Sequence, residues 1–258
     1  YVFHLKKSLY GLKQSPKQWY KRFDSFMIGH GYSRSQYDNC VYHRKFSDGS
    51  FVYLLLYIDD MLIAAHDISL INESKAPLNS EFEMKDLGRA KKILGMEIHR
   101  DRQAQKLILS QKNYINRVLQ RFNIDKSKRV STSLAPHFKL SSDLCSQSEE
   151  EREQMSHVPY SSAVDSLMYA LVCTRPDLSH VVSVLSMYMS NPGKEHWQAV
   201  KWIFCYLKGT VDIGLVFARN KLTHNNVVGY VDFDYAGDLD KQRSLLGYIF
   251  TLCNSTIS

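Results

Sequence analysis

Residues 51–65 of this chain read Phe-Val-Tyr-Leu-Leu-Leu-Tyr-Ile-Asp-Asp-Met-Leu-Ile-Ala-Ala, two apolar runs around a single pair of carboxylates. Both runs are too short to span a membrane, both are rich in β-favouring residues, and only two polar residues part them. That pattern predicts an antiparallel hairpin over 57–65 with Asp59 and Asp60 at its tip. By residue preference alone, an Asp pair there is an ordinary polar turn. The alternative is that two mutually repelling carboxylates are kept side by side because both face a divalent cation. Mg²⁺ prefers oxygen ligands and usually takes one or two carboxylates plus substrate phosphates.

Helical patterns surround the hairpin. Ser15 is placed to cap a helix and Pro16 suits its first position; Trp19, Phe23, Phe26 and Met27 fall on one face, and Gly29 or Gly31 can end it. Further helices are expected over 69–82 and about 111–122, the second with Ile115, Val118, Leu119 and Phe122 on one side. The stretch 141–157 is Ser-rich and acidic, with Glu149, Glu150, Glu151 and Glu153 against Arg152. It lacks apolar periodicity and reads as an exposed linker. Three helical stripes follow it: Val164, Leu167, Met168 and Leu171; then Val181, Val182 and Leu185 after Pro176; then Trp197, Val200, Phe204 and Leu207 up to Gly209. Strands come last, over 214–218, 227–233 and 247–252. The first half is mixed α/β, and the second begins helical and turns to β.

Composition narrows the classes. With 44% hydrophobic and 23% charged residues, the 258-residue chain is folded protein rather than a disordered tail. Its net charge is +7, and the basic residues are concentrated. Residues 1–50 hold nine Lys/Arg against three Asp/Glu, and residues 83–140 hold fourteen against five. Such a balance favours a polyanionic partner. The five cysteines are odd in number and form no C-x-x-C pair, and the ten histidines show no metal-binding spacing. A disulfide frame or zinc site is therefore not expected, and reduced thiols point to an intracellular protein. No apolar run reaches membrane-spanning length and no signal peptide is visible. The chain opens Tyr1-Val2-Phe3 without an initiating Met, as a segment of something longer would.

Tyr57-Ile58-Asp59-Asp60-Met61 resembles the catalytic hairpin of copia-type retrotransposon reverse transcriptases. The likeness continues in family order. Leu5-Lys6-Lys7-Ser8-Leu9-Tyr10-Gly11-Leu12-Lys13-Gln14-Ser15-Pro16, with Trp19-Tyr20, resembles the template- and nucleotide-contacting segment. Residues 82–88 and Leu94-Gly95-Met96-Glu97-Ile98 resemble the stretch leading into the primer-gripping hairpin. Residues 160–176 and 196–210 resemble the segment joining polymerase to RNase H, and 229–247 resembles the opening of RNase H. Each motif alone is weak; five in order are specific.

The resemblance implies a fold and a chemistry. The fold is an α/β (α+β) reverse-transcriptase palm with a helical thumb and connection, followed by a truncated RNase H-like module. Residues 1–110 would be fingers and palm, 111–140 a thumb-like helical segment, 141–157 the acidic linker, 158–222 the connection, and 223–258 the start of RNase H. The activity would be RNA-directed DNA polymerisation with Mg²⁺ or Mn²⁺. Asp59 and Asp60 would be the catalytic metal ligands of the polymerase, and Asp232 that of RNase H. Lys6, Lys7, Gly11, Lys13, Gln14, Tyr57, Leu94 and Gly95 would contact substrate or nucleic acid. The partners would be an RNA template, a DNA primer and deoxynucleoside triphosphates, with no membrane. The location would be cytoplasmic particles or the nucleus; no oligomeric state is implied.

Departures from the family pattern carry their own expectations. The family's first polymerase aspartate lies on a strand before the Gly11 segment, and the remaining RNase H acids would follow Ser258. Residues 1–258 alone are therefore expected to be inactive in two-metal phosphoryl transfer. Pro77 falls inside the expected 69–82 helix, Asp165 replaces a family Gly, and Cys205 replaces a family Arg. A decayed or repurposed copy would collect such changes, and a non-enzymatic protein that at most binds nucleic acid is the alternative. Lys6, Lys7, Lys13 and Lys17 are equally a solvated basic face. Gln14 is equally a surface amide, and Trp19 and Phe23 read as core rather than as base-stacking groups.

Overall fold

The computed structural model describes residues 11–58, 60–218, 227–238, 240, 243–252 and 255–256. The chain separates after Ala90 into two compact units, within the first of the five segments outlined above. Both units are mixed α/β, and the described residues include seven α-helices.

The first unit places two helices on one face of an antiparallel sheet. Helix α1 (Ser15–Gly29) begins one residue earlier than expected. Ser15 is inside it, and the boundary position falls to Gln14, whose backbone is already helical and whose side chain makes no capping bond. At the other end Gly31 takes φ +80°. The N–H of Gly31 donates to Ile28 O (3.0 Å) and that of Tyr32 to Met27 O (3.1 Å), the glycine-centred helix stop. Strands β1 (Ser33–Arg34), β2 (Val41–Lys45), β3 (Phe51–Tyr57) and β4 (Asp60–Ala65) pair in sequence order. Helix α2 (Ile68–Glu81) follows, capped by Asp67, whose carboxylate accepts from Ser69 N–H at 3.0 Å.

Alternation along β3 decides which face is core. Val52, Leu54 and Leu56 are buried with Phe23 and Met27 of α1, Tyr42 of β2 and Leu78 of α2. Phe82, just past α2, lies against Phe23 (5.6 Å) and Phe26 (5.2 Å). Trp19 stacks on Phe23 at 5.3 Å but stays 39% exposed, so it lids the core rather than filling it. Pro77 lies inside α2, as expected, and removes the N–H that would meet Glu73 O.

In the second unit, β5 (Lys92–Ile93), β6 (Met96–Asp101) and β7 (Lys106–Ser110) lead into α3 (Lys112–Arg121). Helices α4 (Glu149–Ser156), α5 (Tyr160–Cys173), α6 (Ser179–Ser186) and α7 (Lys194–Gly209) follow, then β8 (Leu215–Ala218), β9 (Val227–Asp238), β10 (Arg243–Leu252) and β11 (Ser255–Thr256). The expected stripes of α3, α5, α6 and α7 close on one core that includes Ile115, Leu167, Leu185 and Phe204. Each such side chain contributes about 1.5–3 kcal/mol on burial. Strand β8 returns to pair with β7, Leu215 opposite Leu109. A separate sheet is ordered β11-β10-β9.

The acidic stretch expected to be an exposed linker is instead partly helical. Ser148 and Glu151 form a capping box: Ser148 Oγ accepts from Glu151 N–H at 3.1 Å, and the Glu151 carboxylate accepts back from Ser148 N–H. Glutamates in the first turn suit the positive end of the helix dipole. Met155 and Ser146 are buried. Asp165, which replaces a family glycine, faces solvent on α5.

Arg175 is fully buried between α5 and α6. It forks onto Asp177 (2.9 and 2.7 Å) and donates to the Thr210 carbonyl (3.2 Å) and hydroxyl (2.8 Å) at the end of α7. Tyr206 completes the cluster, its hydroxyl donating to Asp177 at 2.9 Å. Burial pushes the Asp177 carboxyl up, but the hydrogen bond and charge of Arg175 outweigh it and hold the group below its ordinary value.

Pro77→Ala restores the missing backbone donor and raises stability by about 1–3 kcal/mol, seen as a higher urea midpoint of the first unit; an unchanged midpoint would mean α2 has already relaxed around the ring. Arg175→Met removes one partner of a buried pair and lowers stability by about 3 kcal/mol. Because the Asp177 pKa is depressed in the folded state, its contribution is present above the ordinary carboxylate pKa and is lost as pH falls through the folded value. Asp177→Asn therefore flattens the acid limb of a stability–pH profile; an acid limb identical to wild type would refute that assignment.

Candidate active site

The acidic hairpin is a two-residue turn set one position earlier than the sequence suggested. Tyr57 pairs directly with Asp60, so Asp60 is the first residue of β4 and not part of the tip. Asp59 itself lies outside the described residues. Ile58 takes φ +50° and is 71% exposed. Tight hairpins favour left-handed backbone because it matches strand twist, but a β-branched side chain pays strain there. That strain is carried beside the carboxylates.

Facing residues of an antiparallel pair project to the same side. The Leu56–Met61, Leu54–Ile63 and Val52–Ala65 pairs share the helix-covered side. Tyr57 and Asp60 therefore project to the other side, with Leu55, Leu62 and Tyr53. Tyr57 is 47% exposed, and the exposed Asp60 carboxylate makes no hydrogen bond or ion pair among the described residues. It stands free on an apolar, aromatic surface. Its oxygens suit a hard cation, and Asp59 would be its neighbour. In number the donors fall short: among the described residues no three His, Cys, Asp or Glu side chains gather as a metal centre would need.

Of the other expected contacts in this unit, Gly11, Lys13 and Gln14 lie at the start of α1, all exposed. Gly11 has φ +91° with open space where a Cβ would sit, so backbone conformation and not crowding calls for glycine. Lys6 and Lys7 lie outside the described residues.

Leu94 and Gly95 belong to the second unit. Ile93 pairs with Met96, and the two residues between them have φ +49° and +70°, the two-residue turn with both central residues left-handed. The Tyr169 hydroxyl, from α5, donates to Leu94 O at 2.6 Å. A Cβ on Gly95 would stand 3.3 Å from that hydroxyl, so close approach as well as φ favours glycine. Glu97, in the same motif, accepts from the Asn113 N–H at 3.3 Å and from the Asn113 amide, while Ser110 opposite donates at 3.5 Å. A carboxylate from a strand thus serves the N-terminus of α3, where Gln111 makes no capping bond. Sequence reasoning missed Glu97, Tyr169 and the Arg175 cluster. The Pro176 signal was read only as a helix start, whereas Pro176–Leu178 is a 3-10 turn ahead of α6.

Asp232 lies in the interior of β9 rather than at a strand end, opposite Gly247 of β10, and is exposed. β9 runs on to Asp238, so the strand outlasts the apolar run from which its end was judged.

These geometries can be set beside known proteins. A family model described as Reverse transcriptase (RNA-dependent DNA polymerase) matches residues 1–136. The chain is 53% identical over 257 residues to the retrovirus-related Pol polyprotein from transposon TNT 1-94 of Nicotiana tabacum, covering all of this chain and 19% of that protein. It is 36% identical over 258 residues to the Pol polyprotein from transposon RE1 of Arabidopsis thaliana, again over the whole chain and 17% of the relative. An uncharacterized mitochondrial protein of Arabidopsis thaliana is 33% identical over 204 residues, 79% of this chain and 80% of its own length. The chain thus spans about a fifth of the two polyproteins. No solved structure matches it. From residue 1 to 136 by family model and end to end by relatives, the chain belongs to the reverse transcriptase family carried in the Pol polyproteins of copia-type transposons.

Proposed function

We propose that residues 1–258 are part of the body of an RNA-directed DNA polymerase that extends a DNA primer on an RNA template, joined to the opening of an RNase H module. The observation that carries this is Asp60, exposed and without a hydrogen bond or ion pair among the described residues, on the face of the first sheet away from its helices and next in sequence to Asp59. Residues 1–110 serve as fingers and palm, 111–140 as thumb, 141–157 as the acidic joint, 158–222 as connection, and 223–258 as the start of RNase H.

Asp59 and Asp60 are the residues that would hold a divalent cation, Mg²⁺ or Mn²⁺, and Asp232 would hold one in the RNase H module. When bound, such cations offset charge on the reacting phosphate oxygens. The chain's own part is positioning. The Tyr57–Asp60 pair fixes the Asp60 carboxylate, Tyr57 offers a half-exposed ring beside it, and Gly11, Lys13 and Gln14, with Lys6 and Lys7, meet phosphates of template or incoming nucleotide. Strand β4 ends its sheet, since β3 is its only neighbour among the described residues. Its free edge can take a further strand by backbone pairing. We assign to that edge the strand that brings the missing carboxylate, because a two-cation site needs more than one hairpin supplies.

Binding and catalysis are separable in this chain. The second unit keeps most of the basic stretch 83–140, and such surfaces hold phosphate backbones through counterion release. If about six phosphates are neutralised, affinity for a primer–template duplex falls about a thousandfold between roughly 50 and 200 mM salt, with little sequence preference. Fluorescence anisotropy across that range tests it, and salt-independent binding would refute it. Catalysis by the 258-residue polypeptide alone is expected to be absent, both in primer extension and in cleavage of an RNA–DNA hybrid, with Mg²⁺ or Mn²⁺. The assay runs beside an Asp59→Asn control. Extension by the parent that disappears in the control would prove that a substitute ligand exists and that the carboxylate count is wrong. No helix among the described residues is long and apolar enough to cross a membrane.

A further inference from the structure

The Leu94–Gly95 turn is held by a residue far away in sequence. Tyr169 sits on α5, whose Ala163, Val164, Leu167 and Ala170 are fixed in the helical core. Its hydroxyl donates to Leu94 O at 2.6 Å and lies where a Cβ on Gly95 would touch it. Tyr114 of α3 packs against its ring at 5.0 Å and is itself tied to α5, donating to Ser166 O at 3.1 Å. At the base of the same hairpin, Glu97 accepts from Asn113 at the start of α3. The turn is thus anchored at its tip by α5 and at its root by α3.

The tip contact has a directional consequence. A trans peptide is planar, and its C=O and N–H point opposite ways. Drawing the Leu94 carbonyl toward Tyr169 therefore turns the Gly95 N–H to the side opposite Tyr169. Neither Leu94 nor Gly95 N–H makes a hydrogen bond among the described residues. An unbonded backbone donor at Gly95 on a left-handed turn, next to the exposed Lys91 and Lys92, is suited to an anion.

We propose that Tyr169 is a positioning residue: by holding the Leu94 carbonyl it aims the Gly95 N–H at one phosphate of the bound primer strand. The assignment rests on the polymerase reading above, in which Leu94 and Gly95 contact nucleic acid within the stretch that resembles the lead into the primer-gripping hairpin. It gives the α5 segment a part in primer placement in addition to its part in the core. Gly95 serves twice, since any side chain would crowd Tyr169 and resist φ +70°.

Tyr169→Phe tests it, because the ring and its packing on Tyr114 stay while the donor goes. The measurement is the affinity of the 258-residue chain for a primer–template duplex in which single primer phosphates near the 3′ end are replaced, one at a time, by neutral methylphosphonate. Amide exchange of the α5 and α7 core is followed in parallel to show that the fold is intact. The wild type is expected to lose affinity at one position. Tyr169→Phe is expected to bind the natural duplex about twofold to tenfold more weakly, as for one lost hydrogen bond, and to lose the position-specific sensitivity. A variant that keeps that sensitivity, or a tight-binding wild type with no sensitive position, overturns the proposal while leaving the polymerase reading standing. No duplex binding by the wild type at low salt defeats the primer reading itself, and the role of Tyr169 falls with it.

Discussion

The first unit is organised by the period of two along β3 and by the single register in which Tyr57 meets Asp60. Val52, Leu54 and Leu56 must meet α1 and α2, so Tyr57 must face away, and its partner Asp60 with it. A slip of one residue would carry every side chain of β4 to the other face. It would press the Asp60 carboxylate into an apolar core, where an unpaired charge is costly. Burial of the hydrophobic set on one side thus holds a carboxylate in the open on the other. The left-handed backbone at Ile58 is the local strain that this register demands.

The second unit uses long-range polar contacts for a similar end. Its helices are placed by apolar stripes, but the strands that lead into them are tied by single groups. Glu97 serves the N-terminus of α3, Tyr169 holds the Leu94–Gly95 turn, and Arg175 with Asp177 binds the α5–α6 joint to the end of α7. Each contact satisfies a buried or half-buried polar group that would otherwise cost stability, and each fixes an orientation that apolar packing alone leaves loose.

Apparent signs of decay weigh less once side chains are located. Asp165 faces solvent, where a charge is cheap. Cys205 is half-buried on α7, where burial pushes its thiol up, and its carbonyl accepts from Val130 N–H at 3.4 Å. Pro77 remains a real local cost, yet α2 continues past it to Glu81. These positions do not favour a non-enzymatic relic over a polymerase segment.

Much of the local architecture was legible in the sequence because its causes act within a dozen residues. Continuous β-favouring apolar runs marked β3 and β4, helical apolar spacing marked α3, α5, α6 and α7, and the glycines at 29 and 31 marked the end of α1. The hairpin around the acidic pair was legible, though not the offset that puts Asp60 on the strand. The helix at Glu149–Ser156 was missed because it is fixed by a capping box and by charge at its N-terminus, not by apolar periodicity. Tertiary structure alone decided that β8 returns to β7, that Glu97 serves α3 rather than solvent, that Tyr169 reaches back to Leu94, and that Arg175 is buried. A carboxylate, a phenol or a guanidinium looks the same in sequence whether it is solvated or clamped. The difference is made by a partner tens of residues away, brought close only when the core has closed.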